Sequence, residues 1–159
     1  MKLFFSIILT LFCFHTSLYQ LVSDHADYRL YRDYYPGLKI HQFNYAQFYC
    51  KVYGVDLKYV MATMNQESGF HDLALSSCGA VGSMQVMACN LPKNPESLID
   101  PEVNIKTGIR VLRDNLILTR GNYAMALAKY HAGPNYDLSK YRWWGSYVLR
   151  IHVNAQEAV

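Results

Sequence analysis

The sequence predicts a mainly α-helical single domain with at most a small β-hairpin. Apolar residues recur at spacings of three and four along several segments, which places them on one face of a helix. No segment alternates polar and apolar residues for long enough to indicate a substantial sheet. The chain has 159 residues, of which 52% are hydrophobic, so it can bury one core without metals or many disulfides.

The amino terminus is typical of a secretory signal. Lys2 precedes an apolar run over residues 3–14, so residues 1–22 are predicted to be a signal peptide that directs export to the periplasm or cell envelope. No triplet of small residues closes the run, and residues 18–22 are largely apolar. An uncleaved N-terminal anchor therefore remains the alternative.

Residues 23–41 form a tyrosine-rich extension ahead of the main domain, which is predicted to cover residues 42–159. Its tyrosines alternate with charged residues, and a Pro-Gly pair at positions 36 and 37 predicts a turn. We expect an amphipathic segment that packs on the domain. A surface that stacks on sugars or docks a partner is the alternative, because clustered exposed aromatic residues mark interfaces.

Two helices are predicted next. The first covers about residues 44–53 and ends at Gly54, which can adopt the left-handed conformation of a helix stop. Asp56 then provides the N-cap of the second. Four residues of this second helix share one face: Leu57, Val60, Met64 and Glu67.

Residues 71–82 are rich in Ser, Gly and Cys and are expected to form a loop or a short hairpin, with another helix beginning near Ser83. Asp100 and Pro101 are a strong start signal for a core helix that ends near Gly121. Its apolar stripe consists of Ile105, Ile109, Leu112 and Leu116.

Two further helices complete the prediction. One contains Ala124, Leu127 and Ala128 and stops near Gly133. A closing helix follows over residues 144–151.

Glu67 is the predicted catalytic residue. A carboxyl group beside Val60 and Met64 would be desolvated, which favours the neutral form that a general acid needs. The alternative is an ordinary glutamate that points into solvent at a helix end. This acid chemistry is the chemistry of glycosidic bond cleavage.

Ordinary glycosidases pair the acid with a second carboxylate. The sequence offers Asp72 on the loop after the helix, whereas Asp100 and Glu102 are expected to start their own helix. If no second carboxylate reaches the sugar, the nucleophile must come from the substrate.

Three cysteines remain after the predicted signal, so three single bridges are possible. We expect a disulfide between Cys78 and Cys89, which bracket the Gly-rich segment, with Cys50 as a buried thiol or an intermolecular partner. A zinc site built from Cys78, Cys89, His71 and His131 is the less favoured alternative, because the spacing follows no known zinc pattern.

Charge gives no reason to expect a nucleic-acid partner. The formal net charge is +3 and the basic residues are spread along the chain rather than clustered. No metal or other cofactor is predicted.

Three ordered motifs are similar to those of a known family. They are Glu67-Ser68-Gly69-Phe70 with Ser76, then the Gly-rich segment 79–87 (GAVGSMQVM), and later the segment 126–134 (ALAKYHAGP). Together with the intervening segment 100–109, they resemble the catalytic domain of family 1 lytic transglycosylases, and the resemblance covers about residues 42–150. It implies a goose-type lysozyme-like fold with a helical bundle and a substrate groove.

The resemblance also implies an activity. Glu67 matches the glutamate that acts as acid and then as base on the bond between N-acetylmuramic acid and N-acetylglucosamine in peptidoglycan. The muramic 6-hydroxyl then attacks its own anomeric carbon and leaves a 1,6-anhydro end. A hydrolytic muramidase and a non-catalytic wall-binding subunit are the alternatives. Stand-alone domains of this size resemble those that serve secretion, conjugation or pilus machines.

Other site residues are implied one at a time. Ser76 and Gln85 match sugar-contacting residues, Met87 matches a residue that lines the groove, and Tyr130 matches a tyrosine whose hydroxyl lies near the catalytic carboxylate. Each also has a purely structural alternative: Ser76 as a turn cap, Gln85 as a partner of loop backbone, Met87 as core filler.

The sequence departs from the family at two places. His131 replaces a usual asparagine and adds a titratable group. Trp143 and Trp144 stand where the family often carries a Glu-Thr pair. We expect Trp143 to stack on a sugar face and Trp144 to join the core.

Overall fold

The computed structural model describes residues 25–91, 95–133 and 143, so the predicted signal peptide and the predicted closing helix lie outside the described residues. The chain divides into two compact units after Pro36. In the first unit, residues 25–34 are helical, and the backbone N–H of Tyr35 donates to the carbonyl oxygen of Tyr31 at 2.8 Å. No helix within the described ranges combines the length and apolarity that crossing a bilayer requires.

The second unit begins with helix α1, Ile40–Tyr53. It starts four residues earlier than predicted, because the side chain of Gln42 accepts a hydrogen bond from the Lys39 backbone N–H at 3.1 Å and caps the first turn. Its predicted end is confirmed: Gly54 adopts φ 67°, a left-handed conformation that glycine tolerates at no steric cost.

Helix α2, Leu57–Ser68, begins directly after the predicted N-cap Asp56. The Asp56 side chain accepts from the Lys58 backbone N–H at 3.1 Å, and Gly69 stops the helix at φ 59°. Val60 and Met64 are fully buried. The face that carries Glu67 is therefore the face that packs into the core.

Helix α3, Pro101–Leu118, packs against both α1 and helix α4, Tyr123–Ala132. The Asp100 side chain accepts from the backbone N–H groups of Glu102 at 2.8 Å and Val103 at 3.0 Å, as expected for an N-cap. The helix ends at Leu118, slightly before the predicted Gly121. Its buried stripe is confirmed: Ile105, Ile109, Leu112 and Leu116.

The segment between α2 and α3 contains no α-helix near Ser83, so that prediction was wrong. Isolated antiparallel bridges join Val81 to Leu75 and to Val86, and two short 3-10 helices follow, Ala88–Asn90 and Pro95–Ile99. The described residues are thus mainly helical and carry no extended sheet, which confirms the predicted fold class.

Asn104 of α3 explains why this segment is not helical. Its side chain accepts from the Met84 backbone N–H at 2.9 Å and donates to the carbonyl oxygens of Val81 at 2.8 Å and Leu98 at 3.1 Å. Backbone groups that a local helix would pair are instead bound to a side chain distant in sequence. Gly82 has φ 78°, and any Cβ there would collide with the Asn104 amide.

Candidate active site

Glu67 lies in the last turn of α2, and its side chain is only 13% exposed. The fully buried Val60 and Met64 precede it on the same helix face. The fold therefore withdraws most of this carboxyl group from water without burying it completely. A group in this position can still meet a ligand.

Helix α4 brings His131 to this carboxyl group. The Nδ1 atom of His131 lies 3.2 Å from Oε1 of Glu67, within hydrogen-bond distance. His131 is the more open partner, with a side chain 39% exposed. The structure therefore brings together residues of two motif segments that lie 64 positions apart in the sequence.

Tyr130 precedes His131 and contacts the loop instead. Its hydroxyl donates a 2.7 Å hydrogen bond to the carbonyl oxygen of Met84. Burial raises the pKa of Tyr130 well above its usual value, and the negative charge of Glu67 adds to the shift. The phenol is therefore a neutral donor across the physiological pH range.

Tyr130 also lines a groove of about 440 Å³, whose described wall includes neither Glu67 nor His131. Gln85, Met87 and Tyr130, three of the predicted substrate-binding residues, line it together. Sequence reasoning assigned none of the other residues of its wall to substrate binding. These are Val86, Cys89, Asn90, Val111, Asn115, Lys129 and Gly133.

Gln85 and Ser76 both hold the loop in shape. The Gln85 side-chain amide donates to the carbonyl oxygens of Gly82 at 3.0 Å and Ala74 at 3.3 Å. The Ser76 hydroxyl accepts from the Ala80 backbone N–H at 2.9 Å, so it caps a turn. Gln85 reaches the groove as well, whereas Ser76 is not part of the groove wall.

Trp143 is 65% exposed and is not part of that wall either. Trp144 lies outside the described residues. The structure thus leaves the Trp143 ring accessible without bringing it to the groove.

The three described cysteines are free thiols, so the predicted bridge between Cys78 and Cys89 is not formed in the structure. Cys78 and Cys89 are exposed, whereas burial raises the pKa of Cys50 to about 12. Within the described part of the chain, no group of three or more His, Cys, Asp or Glu side chains could hold a metal ion. The alternative zinc site is accordingly not assembled there.

Asp72, the nearest candidate for a second carboxylate, is bound to the start of α1. Its carboxylate accepts from Lys39 Nζ at 2.7 Å and Gln42 Nε2 at 2.6 Å, and it contacts His41 Nε2 at 3.2 Å. Burial alone would raise the pKa of Asp72, but the hydrogen bonds and positive charge of these partners lower it below the usual value. This carboxylate has a structural role.

The other two candidates are also occupied. Asp100 caps α3 through two backbone N–H groups. Glu102 accepts a 2.6 Å hydrogen bond from the hydroxyl of Tyr49, and this bond is the main reason why the pKa of Tyr49 rises to about 12. All three carboxylates considered as partners for Glu67 therefore hold the fold together.

Comparison with known proteins places the chain in a family. Residues 44–144 match the model of the transglycosylase SLT domain. The chain belongs to this family. Its fold is similar to that of an inactive mutant of the lytic transglycosylase Slt from Pseudomonas aeruginosa, with a TM-score of 0.60 and 24% identity over 71% of this chain and 23% of that one.

A second solved structure is a 70-kDa soluble lytic transglycosylase in complex with bulgecin A. It matches with a TM-score of 0.54 and 27% identity over 66% of this chain and 18% of that protein. This SLT domain chain therefore spans about a fifth of the length of the solved proteins it matches.

Three residues that support the site of this SLT domain were missed by sequence reasoning. Asn104 holds the loop. The Ser68 hydroxyl donates to the Ser83 carbonyl oxygen at 2.8 Å, which fixes the loop to the residue after Glu67. Gln42 is fully buried and also donates to the Phe70 carbonyl oxygen at 2.9 Å. The sequence feature that could have identified such residues is a single polar side chain within an apolar helix face. A polar side chain is buried there only when it finds a hydrogen-bond partner.

Proposed function

We propose that this domain is a peptidoglycan lytic transglycosylase. It would cleave the β-1,4 bond between N-acetylmuramic acid and N-acetylglucosamine and leave 1,6-anhydro ends. The observation that carries the proposal is the largely buried carboxyl group of Glu67, which lies 3.2 Å from His131. Membership of the SLT domain family supports the same reaction.

In the proposed mechanism Glu67 acts twice. Its carboxyl group first gives a proton to the glycosidic oxygen as the bond from that oxygen to the anomeric carbon breaks. The resulting carboxylate then takes the proton of the muramic 6-hydroxyl as that oxygen bonds to the same anomeric carbon. Glu67 is thereby restored, and no water is consumed.

The occupied carboxylates support a nucleophile that comes from the substrate. Asp72 has three partners on or beside the start of α1, and Asp100 and Glu102 have partners of their own. An intramolecular hydroxyl has the high effective concentration of a tethered reactant, so it needs no protein carboxylate for attack. A hydrolase of the ordinary two-carboxylate type would need one of these groups released.

The proposed glycan-binding residues include three that share the groove wall: Gln85, Met87 and Tyr130. Met87 is 38% exposed and offers an apolar surface to a sugar ring. His131 would meet the sugars from the side of Glu67. Ser76 would act by fixing the loop, and Trp143 would stack on a sugar beyond the groove.

We further propose that residues 1–22 direct export to the periplasm or cell envelope, where peptidoglycan lies. Residues 23–41 would form an extension and residues 42–159 the catalytic domain. A secretion, conjugation or pilus machine is the proposed partner, because such machines must open the wall locally.

The mass spectrum of muropeptides released by the purified protein tests the reaction. Anhydro ends are lighter by one water than hydrolysed reducing ends, so the two reactions are distinguished directly. Glu67→Gln, which keeps the side-chain size but cannot donate an acidic proton, should abolish clearing in a peptidoglycan gel. Equal clearing by both proteins, or clearing by neither, would refute the proposal.

Inhibitor binding gives an independent check. Because the related 70-kDa transglycosylase has been solved with bulgecin A, we expect bulgecin A to bind this domain and to slow muropeptide release. Binding should weaken in Met87→Ala, which removes an exposed part of the groove wall.

A further inference from the structure

The partner of Glu67 is a titratable ring. An imidazole nitrogen 3.2 Å from a carboxyl oxygen allows two arrangements with one shared proton. In one, an imidazolium donates to a carboxylate. In the other, a carboxyl group donates to a neutral imidazole. The total charge of the pair is zero in both cases, so no proton has to enter or leave the site to interconvert them.

Solvent decides which arrangement is favoured. In water an imidazole binds a proton more tightly than a carboxylate does, so the ion pair is favoured while solvent reaches the two side chains. Removing water penalises both charges of an ion pair far more than it penalises the neutral pair. The His131 side chain is 39% exposed and lies 3.2 Å from Glu67, so a glycan strand that reaches Glu67 has water to remove from the ring.

We propose that His131 stores the proton of the general acid and passes it to Glu67 when a glycan strand closes the site. The proton leaves Nδ1 of His131 and bonds to Oε1 of Glu67, which leaves a neutral imidazole and a neutral carboxyl group. This proposal rests on the proposed function of Glu67. In this role His131 is a positioning residue, since the stored proton reaches the sugar only through Glu67.

The other charged groups around the groove are compatible with this transfer. Lys129 and Tyr130 accompany His131 on α4, and the neutral Tyr130 adds no negative charge. From α3, Arg110 donates to the carbonyl oxygen of Asn90 in the groove wall at 2.7 Å.

The pH dependence of kcat/KM tests the proposal. The active pair holds one proton, and it retains that proton to higher pH than a lone carboxyl group would. In His131→Asn, which can still hydrogen-bond to Glu67 but cannot hold a proton, we expect the alkaline limb to move about 1 to 2 pH units toward acid. Activity on the acid side should fall only a few-fold.

The matched control is His71→Asn, because His71 is an exposed histidine that follows Glu67 by four positions. It should leave the profile unchanged. An alkaline limb that stays in place in His131→Asn while activity remains would overturn the proton-storage role and leave the proposed function intact. Absence of activity in the wild-type protein would instead refute the proposed function.

A spectroscopic measurement does not depend on any variant folding. The ring ¹⁵N shifts of His131 report whether Nδ1 carries a proton. We expect them to change from imidazolium to neutral at constant pH, near 6, when a neutral N-acetylglucosamine oligomer saturates the wild-type protein. Ring shifts that remain those of an imidazolium in the saturated complex would overturn the proposal.

Discussion

The hydroxyl of Tyr130 reaches across from α4 to donate to the carbonyl oxygen of Met84, at 2.7 Å. Met84 is fully buried, and its backbone N–H is bound by Asn104. One peptide segment of the loop is thus held from two helices at once. The wall of the groove depends on these two bonds, because Gln85 and Met87 follow directly in the chain.

Tyr130→Phe should destabilise the protein and weaken glycan cleavage. Removing the hydroxyl leaves a buried carbonyl oxygen without its donor, which costs about 1 to 3 kcal/mol. Thermal unfolding and muropeptide release together measure the effect. Tyr45→Phe, which removes a hydroxyl from a half-buried tyrosine of α1, is the control. An unchanged melting temperature in Tyr130→Phe would contradict the assigned role.

Asn104→Ala should destabilise the protein more than Tyr130→Phe does. Three hydrogen bonds to loop backbone are lost, and each buried group left unpaired adds to the cost, so we expect at least about 3 kcal/mol in urea unfolding. The exposed Asn44→Ala is the matched control and should change stability by less than about 0.5 kcal/mol. A loss of that small size in Asn104→Ala would show that the loop holds its shape by other contacts.

Asp72 should make stability depend on acid pH. Its pKa is lowered in the folded protein, so its contribution is fully present above the unfolded value of about 3.8 and is lost as pH falls through the folded value. The free energy of unfolding of Asp72→Asn should therefore fall less steeply than that of the wild type below about pH 4. Asp114→Asn, at an exposed position, should keep the wild-type slope.

Ser83→Ala should stabilise the protein. Among the residues that the structure describes, the Ser83 hydroxyl is buried and has no hydrogen-bond partner. Removing an unpaired buried hydroxyl is expected to gain about 1 kcal/mol. Ser68→Ala should instead lower the stability of the protein, because the Ser68 hydroxyl donates to the Ser83 carbonyl oxygen. Urea unfolding of both variants measures the contrast, and a loss of stability in Ser83→Ala would reveal a hidden partner.

Short sequence patterns predicted the helix ends that are fixed by neighbouring residues in the chain. Asp56 and Asp100 cap their helices through backbone groups two or three positions away, and Gly54 stops α1 by its own conformation. The loop around Ser83 was mispredicted because its backbone is bound by Asn104, which is 20 residues from Met84. No local pattern encodes such a partner.

The site residues also differ in how far they could be predicted from local sequence. Glu67 could be placed on the core face of α2 from spacing alone, and family motifs pointed to Gln85, Met87 and Tyr130. The contact between His131 and Glu67 joins residues 64 positions apart. The packing of α4 against the rest of the fold creates this pair, so only the structure could reveal it.

The bonds around Asp72 have a practical consequence for truncation. The family match begins at residue 44, and the catalytic domain predicted from sequence begins at residue 42. A fragment cut at residue 44 would lack Lys39, His41 and Gln42, which together hold Asp72 just beyond the end of α2. The shortest fragment that keeps these three contacts must therefore start no later than Lys39.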